Sequence, residues 1–244
     1  MTREKPRHRS SSGYARGEET RQRIIDAALE LFGERGYQRA STRDIAARAG
    51  VNPPALQYYF DNKHGLYLAC IDYIASDARE RIAPMLDACE KALEEGREPL
   101  ALIDVYCDMQ EALADFLISA PNARSRSLFM ARERLDTEIK SASFSIQSRF
   151  SCRFYQICGA LVGRVIGQPA DAAETLLVAM TLNGQIMSFH LSRDFAMDTL
   201  GWKEITPARL GAIKATARAH TRAVLLARLA EHRAADAIPD LVMT

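Results

Sequence analysis

The sequence predicts an all-α protein with a small N-terminal unit of three helices, residues 18–65, and a larger C-terminal helical domain, residues 66–244. Three observations carry this. Apolar residues recur at spacings of three and four almost throughout. No run alternates apolar and polar residues as a half-buried strand does. Gly, Pro and Asn break the pattern at points that suit helix-to-helix turns, such as Glu95-Gly96, Pro121-Asn122, Gly167-Gln168-Pro169 and Gly201. The composition, 48% hydrophobic and 26% charged, is that of a globular chain and argues against wholesale disorder or a disulfide scaffold.

Residues 1–17 hold Arg3, Lys5, Arg7, Arg9 and Arg16 among Ser, Pro and Gly, the composition of a flexible basic arm, or equally of a solvated tail. The first helix is expected over 18–35, with Ile24, Ala28, Leu31 and Phe32 as its apolar stripe. Gly36 offers a left-handed stop. Ser41 begins a second helix and can cap it through the Asp44 N–H, with the Asp44 carboxylate reaching back. That helix runs to about Ala49, and Gly50 makes the turn. Asn52 can cap a third helix, Pro53–Phe60, whose first position suits a proline. Further helices are expected at 63–94, 99–119, 123–139, 143–166, 170–194 and 207–234, with Pro84 kinking or dividing the first of these.

Two short helices joined by a glycine turn, with Ile45, Ala46, Ala49, Val51, Leu56 and Phe60 spaced to pack on one another and on the first helix, follow the helix-turn-helix plan. A purely structural three-helix corner has the same pattern, so the outward chemistry matters. Arg43 opens the bracing helix. Asn52, Ala55, Gln57, Tyr58 and Tyr59 belong to the short helix and its cap, and Lys63 opens the next. Gln suits bidentate pairing with adenine, whereas Tyr hydroxyls, Lys, Arg and helix N-terminal N–H groups suit phosphate. Charge divides in the same sense: residues 1–65 carry twelve Lys and Arg against eight Asp and Glu, and residues 66–244 carry twenty against twenty-three. Such asymmetry is expected if one end meets a polyanion and the other does not, although surface charge also varies by chance to this extent.

The ordered series Thr20-Arg21-x-x-Ile24-x-x-Ala27-Ala28-x-x-Leu31-Phe32-x-x-x-Gly36-Tyr37, then Asp44-Ile45-Ala46-x-x-Ala49-Gly50-Val51, then Leu56-x-Tyr58-x-Phe60-x-x-Lys63-x-x-Leu66 resembles the DNA-binding domain of TetR-family transcriptional regulators. The resemblance implies an all-helical homodimer whose C-terminal domain takes a small-molecule effector and releases double-stranded operator DNA. In that domain the Arg132-Glu133 segment and the Asn183-Gly184-Gln185 helix are similar to the CecR-type subgroup. The chain departs from the usual pattern at Asn52-Pro53-Pro54 and at Gln57, which shifts expected base readout towards apolar contacts and Gln57.

For dimerisation the expected face comes from Leu176, Leu177, Ala179, Met180, Gly184, Met187 and Ser188 on one late helix and Ile213, Ala217, Val224, Leu225 and Leu229 on the other, although each also suits an ordinary core. For an effector, Phe116, Phe129 and Phe154, with Met109, Met130, Phe144 and Phe150, suit an adaptable apolar cavity or a dense core. Arg132, Asn183, Gln185 and His190 are the polar candidates for orienting a ligand. The helix after Lys63 is the natural lever between the two parts.

Other classes find little support. No nucleophile elbow, Walker loop, H-E-x-x-H helix or Rossmann glycine series occurs, so neither catalysis nor a cofactor is expected. Cys70, Cys89, Cys107, Cys152 and Cys158 show no metal-ligand spacing, and Cys152 and Cys158 are too far apart along a helix for a disulfide. No stretch approaches ~18 uncharged apolar residues, and Met1–Ser12 is basic with no apolar run behind it, so a cytoplasmic protein without a membrane span is expected. The competing reading is a helical ligand-binding or interaction protein that has lost specific DNA binding.

Overall fold

The structure, a computed structural model, describes residues 11–120, 122–135 and 140–237, with side chains over 15–120, 122–132 and 152–235. Among these there is no strand. The helices are α1 (Ser11–Arg39), α2 (Thr42–Ala49), α3 (Pro53–Phe60), α4 (Lys63–Arg81), α5 (Ala83–Glu94), α6 (Pro99–Ile118), α7 (Ala123–Leu135), α8 (Lys140–Ile166), α9 (Ala173–Leu191), α10 (Arg193–Thr199) and α11 (Pro207–Ala237).

α1 starts at Ser11, inside the stretch expected as an arm; residues 1–10 lie outside the described residues. Gly17, at the end of these extra turns, lies near α3: a Cβ there would be 3.7 Å from the Tyr59 hydroxyl. The helix breaks at Gly36 as expected, but with φ 79° and ψ 166°, a positive-φ extended conformation and not the left-handed helical one. One further turn then leads to Ser41, whose Oγ accepts from the Asp44 N–H at 3.0 Å. The Asp44 carboxylate takes Arg35 Nη1 at 3.1 Å, so it ties α2 to α1. Gly50, at φ 66° and ψ 36°, closes α2 in the left-handed region where a side chain is strained. Asn52 Oδ1 accepts from the Ala55 N–H at 2.9 Å and so caps α3.

Ile24, Ala28, Leu31, Phe32, Ile45, Ala46, Ala49, Leu56 and Phe60 are all buried and form the core of this unit. Each large apolar side chain among them contributes roughly 1.5–3 kcal/mol by leaving water. α4 continues directly from α3 after a turn at Asp61-Asn62 and ends at Arg81; Pro84, at the second position of α5, divides the long helix expected over 63–94.

In the C-terminal domain α6 is central, packing on α5, α8, α9 and α11. α11 runs antiparallel to it along an ionic ladder: Arg222 pairs with Asp104, Arg218 with Asp108 and with Glu111 at 2.6 Å, and Lys214 with Asp115 at 2.8 Å. α9 ends at Leu191 and a separate short helix, α10, follows where the apolar pattern suggested continuation to 194.

α7 provides a contact that spacing alone did not suggest: it lies along α1. A Cβ at Gly33 would sit 3.0 Å from the Ser125 carbonyl oxygen and 3.1 Å from Leu128 Cβ, so the two backbones meet at the glycine. On either side, Asn122 Nδ2 donates to Asp26 at 3.0 Å, and Arg132 donates through Nε to the Gly33 carbonyl at 2.6 Å and through Nη2 to the Glu34 carbonyl at 2.8 Å. The DNA-binding unit is therefore joined to the rest by α4 and by α7.

Candidate nucleic-acid interface

α3 presents two faces. Leu56 and Phe60 are buried, whereas Pro53, Pro54, Gln57 and Tyr58 face solvent, as positions three and four apart on one side of a helix do. Tyr58 is 82% exposed, an unusual state for a tyrosine without a partner surface. Arg43 is likewise exposed at the start of α2. These side chains occupy the outer surface of a compact corner whose inner surface is filled.

The other expected site residues have internal duties. Asn52 caps α3, and Ala55 is half-buried with its N–H given to that cap. Tyr59 is half-buried; its ring meets Tyr58 edge-on at 5.2 Å and its hydroxyl lies against Gly17. Lys63 Nζ donates to the Gln38 carbonyl at 3.3 Å and lies 4.5 Å from the Tyr37 ring centroid. Burial lowers its ammonium below the ordinary lysine value. An ammonium has three donors, so this tether leaves capacity for a phosphate oxygen.

The residues expected at an effector site stand at several places in the C-terminal domain and at its junction with the head. Phe129 joins Phe32, Tyr37 and Tyr67 in an aromatic cluster between α7 and the N-terminal unit, 4.9 Å from Tyr67 and 6.3 Å from Phe32. Arg132 holds the α1 carbonyls described above. His190 is buried with Nδ1 3.2 Å from the Leu117 carbonyl, and its own carbonyl accepts from Ser127. Phe154 is buried on α8, and Phe116 on α6 beneath the Arg126 guanidinium. Asn183 and Gln185 belong to a buried polar chain: Gln110 donates to the Leu182 carbonyl at 3.0 Å, Thr221 donates to Gln110 at 2.7 Å, and Asn183 donates to the Cys158 sulfur at 3.4 Å. Gln185 Nε2 reaches Thr221 at 3.5 Å. The side chains of Glu133, Phe144 and Phe150 lie outside the described residues. An open cleft of about 730 Å³ at Ile118, Asn122, Arg124, Arg193 and Leu210 is lined by none of the expected residues.

Of the expected dimer face, Ala179, Ile213, Ala217, Leu225 and Leu229 belong to the protomer's own core, and Leu176 and Met187 are half-buried. Leu177, Met180, Gly184, Ser188 and Val224 do face solvent. Beside them α11 presents Ala212, Ala215, Ala219, Ala223 and Ala227, an exposed small-residue face that helix spacing alone could have revealed. Among the described residues no group of acidic, His or Cys side chains could hold a metal ion, and no helix is long and apolar enough to cross a membrane.

A braced recognition helix on a three-helix head, carried by a larger helical domain, defines a DNA-binding transcriptional regulator. The profile of "Bacterial regulatory proteins, tetR family" matches residues 24–70, and that of "HTH-type transcriptional dual regulator CecR, C-terminal domain" matches residues 102–228. The chain belongs to the TetR family and carries a CecR-type C-terminal domain. It is 28% identical over 210 residues to the HTH-type transcriptional dual regulator CecR of Shigella flexneri, covering 86% of this chain and 93% of that one. Its fold is similar to a TetR-like regulator from Rhodococcus sp. RHA1, with a TM-score of 0.55, 20% identity and coverage of 84% and 95% of the two chains. It is also similar to NalD, the secondary repressor of the MexAB-OprM multidrug efflux pump in Pseudomonas aeruginosa, with a TM-score of 0.51, 20% identity and coverage of 87% and 97%.

Proposed function

We propose that the chain acts as a homodimeric repressor that binds operator DNA in the cytoplasm and leaves it when a small molecule occupies the C-terminal domain. The observation that carries the reading is the outer face of α3, where Gln57 and Tyr58 stand exposed over a corner fixed by the Ser41 and Asn52 caps. Exposure of these side chains supports Gln57 as the reader of a base edge and Tyr58 and Arg43 as phosphate contacts. Asn52, Ala55, Tyr59 and Lys63 contribute mainly by fixing the helix, with their remaining donors and backbone near the groove.

One recognition helix buries too little surface for tight specific binding, so a second copy is needed. The exposed Leu177, Met180, Gly184 and Ser188 of α9 and the alanine face of α11 support pairing of two protomers through these helices, since small residues let backbones approach closely. A ligand releases DNA by favouring a conformation in which the two heads are wrongly spaced. α4 supports that link as a lever and α7, lying along α1, as a second one.

Binding of the full chain to its own upstream DNA, measured across a salt series, tests the reading. A specific footprint with a steep salt slope is expected. Weak, sequence-independent binding would instead favour an interaction protein that has kept the head and lost its operator.

A further inference from the structure

Arg126 of α7 is 4% exposed, and its guanidinium lies against two rings, 5.1 Å from the Phe116 centroid and 5.8 Å from that of Tyr73. Its Nη1 donates to Asp77 Oδ2 of α4 at 2.6 Å, while its Nη2 has no acceptor among the described residues. Asp77 is also shared. Its other oxygen accepts from Arg81 Nε at 2.6 Å, so one carboxylate serves two guanidiniums. Arg81 is about half exposed and water answers its charge; Arg126 has no such recourse. A buried cation with an idle donor group and half a counter-charge is a costly arrangement that a second anion relieves. The rings shield the guanidinium, which leaves its N–H edge as the place where a planar anion can accept two parallel hydrogen bonds.

We propose that Arg126 anchors an anion-binding subsite in the C-terminal domain, and that the effector is an apolar molecule bearing a carboxylate or a similarly compact anion. This rests on the ligand-responsive reading above and gives its ligand a chemical class. The ligand's anion takes Nη2 and competes with Asp77 for the rest of the guanidinium edge, while its apolar body lies along the side of Phe116. The consequence reaches the head by two routes. Asp77 sits on α4, which begins at Lys63 beside the recognition helix, and Arg126 sits on the same helix as Arg132, which holds α1, with Asn122 in the turn just ahead of that helix holding Asp26. Drawing Arg126 from Asp77 loosens α4 from α7.

Calorimetric titration of the full chain, without DNA, tests the subsite with 2-naphthoate against 2-naphthamide and octanoate against octanamide, pairs that differ in charge and hardly in shape. At least one carboxylate is expected to bind tenfold or more tightly than its amide. Arg126→Met should abolish that preference and leave amide binding unchanged. Asp77→Asn, which removes the internal competitor and keeps the guanidinium, should tighten carboxylate binding several-fold; it decides the matter alone if the Arg126 variant does not fold. Equal or absent binding of acid and amide, a preference that survives in Arg126→Met, or weaker carboxylate binding in Asp77→Asn overturns the proposal. DNA affinity is measured separately by fluorescence anisotropy. Carboxylate selectivity with unchanged DNA affinity keeps the subsite and removes the release mechanism.

Discussion

Gly33 of α1 and Phe129 of α7 meet backbone to backbone: a Cβ at the glycine would lie 3.2 Å from the Phe129 amide nitrogen. Contacts at that distance, with a carbonyl oxygen at 3.0 Å beside it, leave room for a methyl group only if α7 moves by a few tenths of an ångström. Gly33→Ala gains about 1 kcal/mol of helix propensity and loses a similar amount to crowding, so its melting temperature should change little. Gly33→Val lacks that offset and should cost about 1–3 kcal/mol in denaturant titration. An unchanged midpoint in Gly33→Val would show that α7 does not press on α1 in solution.

Asn52 separates capping from base reading. Asn52→Ala removes the acceptor for the Ala55 N–H and should cost about 1 kcal/mol of stability, whereas Asn52→Ser keeps a cap oxygen and should restore it. DNA affinity should follow stability across the three proteins. If Asn52→Ser folds normally and still loses sequence preference, the Asn side chain itself reads a base.

Gln57 and Tyr58 should behave in the opposite way, with no effect on stability. Gln57→Ala should reduce discrimination between operator and a variant with one altered adenine by about 1–3 kcal/mol. Tyr58→Ala should weaken binding to all sequences alike. Competition assays with a panel of single-base operator variants distinguish the two patterns.

The ladder between α6 and α11 makes a salt-dependent prediction. Glu111 and Asp108 hold the Arg218 guanidinium above its ordinary value, but all three are partly exposed, so Arg218→Ala should cost only about 1 kcal/mol at low salt. At roughly 1 M NaCl the screening length falls to about 3 Å and most of that penalty should vanish. A penalty that persists at high salt would assign it to packing of the arginine stem.

Thiol chemistry should single out one residue. Burial pushes Cys107 up to about 11 and Cys89 and Cys158 up to about 12, and Cys70 is raised in the same direction, whereas Cys152 is exposed. The thiolate is the reactive form, so iodoacetamide at pH 8 should label Cys152 in the native protein and the other four only after unfolding. Mass spectrometry of the labelled chain reads the outcome.

The head was legible because its determinants are local. Ser41 and Asn52 each cap within three residues, Gly50 supplies a left-handed turn, and the apolar stripe of α1 declares its own buried face. The start of α1 was not legible: residues 11–17 are rich in Ser and Gly, which local pattern reads as an arm, and the neighbour found there, Tyr59 beside Gly17, is some forty residues away in the chain. The same holds for the C-terminal candidates. Phe129 and Phe154 look alike in sequence, yet one joins an aromatic cluster with Phe32 and Tyr67 and the other lies on α8. Arg132 and Arg126 are separated by six residues on one helix; one spans to backbone carbonyls of α1 and the other is buried against a single shared carboxylate. Which partner a long side chain finds is settled by how helices cross, and that crossing depended on a glycine at position 33 whose role no local pattern announces.

The tether from Lys63 to the Gln38 carbonyl and the Tyr37 ring joins the last turn of α1 to the start of α4, and α2 and α3 lie between them in the chain. With the Arg35–Asp44 and Arg48–Glu30 pairs tying α2 to α1, helices 1 to 4 are cross-linked as one tile. A shift of the tile should carry the edge with it, so a signal arriving from the C-terminal domain is expected to alter how firmly DNA sequences are held and to leave their ranking as it was, which the panel of operator variants measured with and without effector would check.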